Sequence, residues 1–254
     1  MLLPWLTDRR RARLLDTPFP AAWAEVLERN VRAYPLLTPD EQQLLRDLVQ
    51  VFIDEKHWEG CGGLELDDEI RVTVAGSACL LILGREHDLL REVESILVYP
   101  SAVMLPAQAR GTFDGRPVVD DGPTPVLGVA HGGGPVVLAW DSVLQGARNT
   151  RDGRNLVLHE IAHKIDFLDG DADGTPPLET AAARAAWARV CHEAFVAHQD
   201  GSADLLRDYA TTNEAEFFAV ATEVFFEKPK AMAREAPALY ALLRGFYRLD
   251  LAAR

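Results

Sequence analysis

Hydrophobic positions recur at helical spacing along residues 1–94. Within residues 22–34 the apolar side chains share one face of a predicted helix, namely Trp23, Val26, Leu27 and Val31. Thr38, a proline and then Glu41 match a capping box and predict the start of a second helix. We therefore expect this part of the chain to be mainly helical.

Residues 69–83 could form either a helix or a strand. They follow Asp67 and Asp68, which can cap a helix, but they are rich in β-branched residues that favour strands. We predict a helix here.

Short apolar runs replace the helical spacing in the middle of the chain. The runs at residues 95–99, 118–119, 126–130 and 136–140 are separated by Gly, Pro and Asp turns and are predicted strands. Helical spacing returns at residues 155–168, 179–198, 213–226 and 237–247. Helices, a small mixed sheet and then more helices indicate an α+β fold.

Composition limits the possible partners and location. Of the 254 residues, 48% are hydrophobic and 26% are charged, as in an ordinary globular chain. The net charge of −13 disfavours direct binding to nucleic acid, because phosphates would be repelled. No apolar run approaches the roughly 20 residues that span a membrane, and no secretory signal is recognisable. We expect a cytoplasmic protein without membrane association.

The strongest chemical signal is an H-E-x-x-H sequence formed by His159, Glu160 and His163. On a helix, positions i and i+4 share one face, so both imidazoles can bind one metal ion. Glu160 lies beside that face and can accept a proton from a water that zinc has activated. The rest of this helix is largely apolar, and buried polar groups are costly without a ligand. The pattern predicts one Zn²⁺ per chain and a hydrolytic reaction.

A catalytic zinc site needs a third protein ligand, and spacing alone leaves two choices. The apolar helix predicted at residues 213–226 carries three carboxylates. Glu216 and Glu223 share one face of it, whereas Glu214 lies on another face and is expected to be exposed. Either Glu216 or Glu223 is the ligand, and the other is a candidate for supporting the site by hydrogen bonding.

Asp166 is a further candidate for supporting the metal site. It follows His163 by three positions and lies on the ligand face of the predicted helix. It could orient an imidazole, and a plain surface carboxylate is the alternative.

These motifs resemble the Mlc titration factor A family of zinc peptidases. The resemblance rests on residues 159–166, on Tyr209 with Ala210 and on residues 215–220. Further matches lie at residues 14–20, 59–64 and 134–140. The resemblance implies Glu216 as the third metal ligand and Tyr209 as the residue that stabilises the oxyanion.

The resemblance also implies a fold and an activity. The catalytic half of the family is similar to the anthrax lethal factor peptidase domain, which is zincin-like. We interpret residues 1–254 as one such domain, with a mainly helical part at 1–94, a catalytic part at 95–254 and an active-site helix pair. The implied activity is peptide hydrolysis with an aminopeptidase preference, and the implied partner is a transcriptional repressor of the Mlc type.

Two alternatives to this function remain open at the level of sequence. Endopeptidase activity is the alternative within the enzymes. A regulatory protein-binding module with a non-catalytic zinc site is the alternative from another class. Glu160 argues against the module, because a structural zinc site has no need of a base.

The predicted strand at residues 136–140 is a candidate for binding the substrate. Peptidases of the zincin type bind a peptide as an added antiparallel strand, which requires a strand with a free edge. The candidate residues are Val136, Val137, Leu138, Ala139 and Trp140. An ordinary structural strand is the alternative.

Overall fold

The computed structural model describes residues 4–85, 87–105, 124–126, 128–130, 134–149 and 152–254. The α-helices within these ranges are α1 (Pro4–Leu15), α2 (Ala21–Asn30), α3 (Pro39–Glu55), α4 (Asp68–Leu80), α5 (Trp140–Arg148), α6 (Leu156–Asp166), α7 (Ala181–Gln199), α8 (Glu214–Glu227), α9 (Pro229–Glu235) and α10 (Pro237–Tyr247). The strands are β1 (His57–Gly60), β2 (Ser95–Tyr99), β3 (Val103–Leu105), β4 (Thr124–Val126), β5 (Gly128–Ala130) and β6 (Val136–Ala139). The predicted α+β class is confirmed.

The N-terminal helices begin where their capping residues predict. The Thr38 side chain accepts a hydrogen bond from the backbone N–H of Glu41, and the Glu41 side chain accepts one from the N–H of Thr38. Asp67 caps α4 by accepting from the N–H of Ile70 at 2.9 Å. The helix predicted at residues 69–83 is therefore confirmed, although α4 ends earlier, at Leu80.

The main sheet is mixed, with the strand order β1-β2-β6-β5. Strands β1, β2 and β6 are parallel, and β5 pairs antiparallel with β6. Strands β3 and β4 form a separate antiparallel pair. A single strand was predicted at residues 126–130, where the structure has the last residue of β4 and the whole of β5. The strand predicted at residues 118–119 lies outside the described residues.

The prediction of an edge strand at residues 136–140 is wrong. Strand β6 pairs with β2 on one side and with β5 on the other, so its backbone groups are already hydrogen bonded. Val136 and Leu138 are fully buried, as is common in strands that lie inside a sheet. The strand also ends at Ala139, and Trp140 begins α5. Within the described sheet, β5 and not β6 is the edge strand on this side.

One hydrophobic cluster runs from the N-terminal helices to the C-terminal helices, and it includes Leu27, Val74, Leu158 and Phe225. Helix α4 contacts α2 and α3 on one side and α6 on another, and α6 packs against α8. The interpretation of the chain as a single domain stays a prediction. Among the described helices, none is both long enough and apolar enough to cross a bilayer.

Candidate metal centre

Helix α6 is anchored to α8 at its first turn by Asn155. The side-chain oxygen of Asn155 caps α6 by accepting from the N–H of Leu158 at 3.1 Å. Its side-chain nitrogen donates to Glu227 at 2.9 Å, and its backbone N–H donates to Glu223 at 2.7 Å. The cap therefore fixes the start of one helix against two carboxylates of the other.

His159, His163 and Glu216 converge between α6 and α8. Nε2 of His159 lies 3.2 Å from Nε2 of His163 and 3.1 Å from Oε2 of Glu216. Nε2 of His163 lies 3.5 Å from the same carboxylate oxygen. Among the described residues, these three form the one group of His, Cys, Asp and Glu side chains that could hold a metal ion.

These atoms fit a tetrahedral metal ion. In a tetrahedral site, two ligand atoms that each lie about 2.1 Å from the ion are about 3.4 Å from each other. The three distances between His159, His163 and Glu216 given above are close to this value. Oε2 of Glu216 is buried and has no hydrogen-bond partner in the described part of the chain. Two imidazole nitrogens face this oxygen, and a buried carboxylate opposite neutral imidazoles is costly unless a proton or a cation lies between them.

The electrostatics of the site also favour a cation. Burial lowers the pKa of His159, but the carboxylates of Glu216 and Glu223 outweigh burial and raise that pKa to about 9. Burial disfavours the charged form of Glu216, yet its interactions with His159 and His163 hold the pKa of that carboxyl well below its usual range. The negative charge around the imidazoles therefore attracts positive charge into the site.

Glu160 lies on the same helix and is almost completely buried, with 4% of its surface exposed. Burial is the main cause that raises the pKa of its carboxyl, to about 7. The negative charges of Glu216 and Glu223 raise this pKa further, whereas His159 lowers it. A carboxylate of this basicity can accept a proton near neutral pH.

Glu223 contacts His159 on the side of the ring that faces away from Glu216. Oε1 of Glu223 lies 2.7 Å from Nδ1 of His159, and the residue is 1% exposed. An imidazole that donates from Nδ1 keeps its lone pair on Nε2, which is the atom that faces His163 and Glu216. Of the two carboxylates that spacing left open, Glu216 therefore lies with the histidine nitrogens and Glu223 lies behind one of them.

Tyr209 lies at the rim of the site. Its ring centroid is 6.0 Å from that of His159, and the residue is 49% exposed. Burial, followed by the charge of Glu216, raises the pKa of its phenol to about 12. The phenol therefore stays protonated at neutral pH and can donate a hydrogen bond.

Asp166 differs from both of its predicted roles. It is completely buried, so the surface alternative is wrong. Its Oδ2 accepts from the N–H of Gly174 at 3.0 Å, and its Oδ1 has no partner in the described residues, so it does not orient an imidazole. Gly174 has φ +76°, and a Cβ there would meet the carbonyl of Glu214. Asp166 therefore holds the loop that packs on the start of α8.

Asn155 and Arg207 were not among the site residues predicted from the sequence. Asn155 directly precedes α6 and has the sequence pattern of a helix cap, which was the available signal. Nη2 of Arg207 donates to Glu223 at 2.6 Å across 16 positions, and nothing local in the sequence marks that contact. Glu214, in contrast, is exposed as predicted.

Comparison with known proteins gives matches over nearly the whole chain. A family model described as glucose-regulated metallo-peptidase M90 matches residues 5–248. An uncharacterized protein of Synechocystis is 32% identical over 251 residues, which cover 97% of this chain and 90% of that protein. Mlc titration factor A of Serratia proteamaculans is 32% identical over 261 residues, covering 99% and 94%. Mlc titration factor A of Escherichia fergusonii is 31% identical over 253 residues, covering 97% and 91%.

Proposed function

The chain belongs to the glucose-regulated metallo-peptidase M90 family, and on this premise we propose that it hydrolyses peptide bonds with one Zn²⁺ held by His159, His163 and Glu216. The observation that carries the proposal is the convergence of these three side chains beside the buried carboxylate of Glu160. Two imidazole nitrogens and one carboxylate oxygen are a ligand set of catalytic zinc sites.

The proposed roles follow from the chemistry of each side chain. Zinc, when bound, lowers the pKa of a coordinated water towards neutrality and polarises a carbonyl group. Glu160 accepts the proton of the attacking water and passes it to the leaving amine. Tyr209 donates a hydrogen bond to the substrate oxygen as negative charge develops there. Glu223 keeps Nε2 of His159 directed at the site.

We further propose that the peptide binds along β5. This strand is an edge of the described sheet, and α6 contacts it, so its position beside the metal helix supports the proposal. A peptide that adds to β5 as an antiparallel strand would pass close to the histidines. This proposal replaces the role that the sequence had assigned to residues 136–140.

The finer features of the activity are proposals as well. We propose an aminopeptidase preference, with endopeptidase activity as the alternative. The relatives from Serratia proteamaculans and Escherichia fergusonii carry the name Mlc titration factor A, which supports a partner of the Mlc repressor type for this chain too. A repressor partner would place the protein in the cytoplasm.

The test is peptide turnover with and without zinc. Cleavage should stop when a chelator removes the metal and should return when Zn²⁺ is added back. Peptides with a free amino terminus, compared with the same peptides acetylated there, separate aminopeptidase from endopeptidase activity. Stoichiometric zinc binding without cleavage of any peptide in a broad library would overturn the proposal and leave a protein-binding module with a non-catalytic metal.

A further inference from the structure

Arg207 links two parts of the metal centre. It directly precedes a short 3-10 helix, Asp208–Thr211, which carries Tyr209. Its guanidinium donates to Oε1 of Glu223 at 2.6 Å and lies 5.7 Å from the centroid of the Tyr209 ring. One side chain thus contacts the carboxylate behind His159 and the aromatic ring at the rim.

Glu223 requires a cationic partner at this depth. Its side chain is 2% exposed, and a buried carboxylate without a cationic partner is costly. Oε1 of Glu223 lies 2.7 Å from Nδ1 of His159 and accepts a hydrogen bond from Nη2 of Arg207 at 2.6 Å. Arg207 carries a permanent charge, whereas the imidazole is neutral when it binds a metal. The guanidinium is therefore the cation that stays beside Glu223 once a metal is bound, and its hydrogen bond orients the carboxylate.

We propose that Arg207 is a positioning residue that fixes Glu223 and, through it, the metal ligand His159, while its contact with Tyr209 orients the phenol. This inference rests on the proposed function for its effect on turnover, but its effect on metal affinity does not need any turnover. The hydrogen-bond partners of a metal-binding histidine commonly change metal affinity or activity by about 10- to 100-fold.

The experiment compares Arg207→Gln, Arg207→Lys and a matched control, Arg254→Gln. The side chains of Arg254 and Arg207 are 23% and 25% exposed, and each pairs with a carboxylate at 2.6 Å. The partner of Arg254, Glu41, is 24% exposed and lies outside the metal centre, whereas Glu223 is 2% exposed, so the control removes a comparable arginine without touching the buried carboxylate. Zinc affinity is measured by competition with a chelator on protein that circular dichroism shows to be folded. Values of kcat and KM are then measured at saturating zinc.

Arg207→Gln should weaken zinc binding by about tenfold and lower kcat at saturating zinc, with little change in KM. Arg207→Lys should recover part of the affinity, because a lysine keeps the charge but not the two-pronged geometry. It also serves as the test variant if Arg207→Gln does not fold. Arg254→Gln should match the wild type in zinc affinity and kcat. Wild-type zinc affinity in folded Arg207→Gln would overturn the inference.

A double-mutant cycle with Glu223→Gln tests whether Arg207 changes zinc affinity through Glu223. If Arg207 acts through Glu223, adding Arg207→Gln to Glu223→Gln should cost little further zinc affinity. Fully additive losses would contradict the proposed route. If the wild-type protein showed no peptidase activity, the proposed function would be wrong. The inference about Arg207 would still be tested, because the zinc affinities of the variants do not depend on turnover.

Discussion

Nε2 of His159 and Nε2 of His163 face each other across 3.2 Å. Two neutral imidazoles that both present lone pairs at this distance repel each other unless a cation or a proton lies between them. One turn of α6 and its anchor on α8 hold the two rings in this arrangement. The fold therefore maintains a geometry that a metal ion stabilises.

Glu216→Ala should lose zinc affinity by at least about 100-fold, because one of three protein ligands is removed. Glu214→Ala is the matched control: it lies two positions away in the same first turn of α8, but it is exposed. Equilibrium dialysis against buffered zinc gives both affinities. Equal losses in the two variants, or a full complement of zinc in Glu216→Ala, would refute the ligand assignment.

Tyr209→Phe should lower kcat by about 10²-fold while zinc content and KM stay near their wild-type values. The phenol would donate mainly after the carbonyl becomes tetrahedral, so binding of the ground state does not depend on it. Steady-state kinetics normalised to zinc-loaded, folded enzyme measure the effect. An unchanged kcat would assign Tyr209 a structural role.

The buried carboxyl of Glu227 should make the free energy of unfolding depend on pH. The residue is 5% exposed, and burial, opposed by hydrogen bonding from Asn155 and the charge of Arg32, raises the pKa of its carboxyl from the ordinary 4.5 to about 7. Because this pKa is higher in the folded state, protonation of Glu227 stabilises the fold; the stabilisation is fully present below about pH 4.5 and is lost as the pH rises through about 7.

Glu227→Gln mimics the protonated carboxyl and should remove this dependence. Between pH 5 and pH 8, the free energy of unfolding of the wild type should fall by about 2 kcal/mol relative to the variant, on the scale of 1.4 kcal/mol per pKa unit. Urea denaturation in the presence of a chelator keeps both proteins metal-free. The exposed Glu28→Gln should show no such difference, and parallel pH profiles for wild type and Glu227→Gln would contradict the prediction.

Local sequence patterns predicted those features that depend on residues a few positions apart. The capping box at Thr38 and the apolar spacing of residues 156–165 predicted α3 and α6, because helix caps and helix faces are set by residues a few positions apart. The two histidines share a face for the same reason. The H-E-x-x-H helix and its candidate metal ligands are therefore the part of the site that the sequence predicts best.

Contacts between distant segments could not be predicted in this way. Strand β6 pairs with β2 in the register Ile96 to Val136, and no local pattern distinguishes an interior strand of four residues from an edge strand. Strand β1 was missed because His57 and Glu59 interrupt any apolar run. The contact of Arg207 with Glu223 depends likewise on how the 3-10 helix packs on α8.

Glu160→Gln separates the proposed base from the side chains that would hold the zinc ion, because Glu160 is buried beside the group of His159, His163 and Glu216 without belonging to it. Glutamine keeps the size of the side chain but cannot accept the proton. The measurement is zinc content per chain together with peptide turnover, for wild type and variant prepared side by side. We expect one zinc per chain in both proteins and a loss of kcat of at least about 10²-fold in the variant. A variant that keeps more than about a tenth of the wild-type kcat would show that Glu160 is not the base, and a variant that no longer binds zinc would show that Glu160 helps to hold the metal.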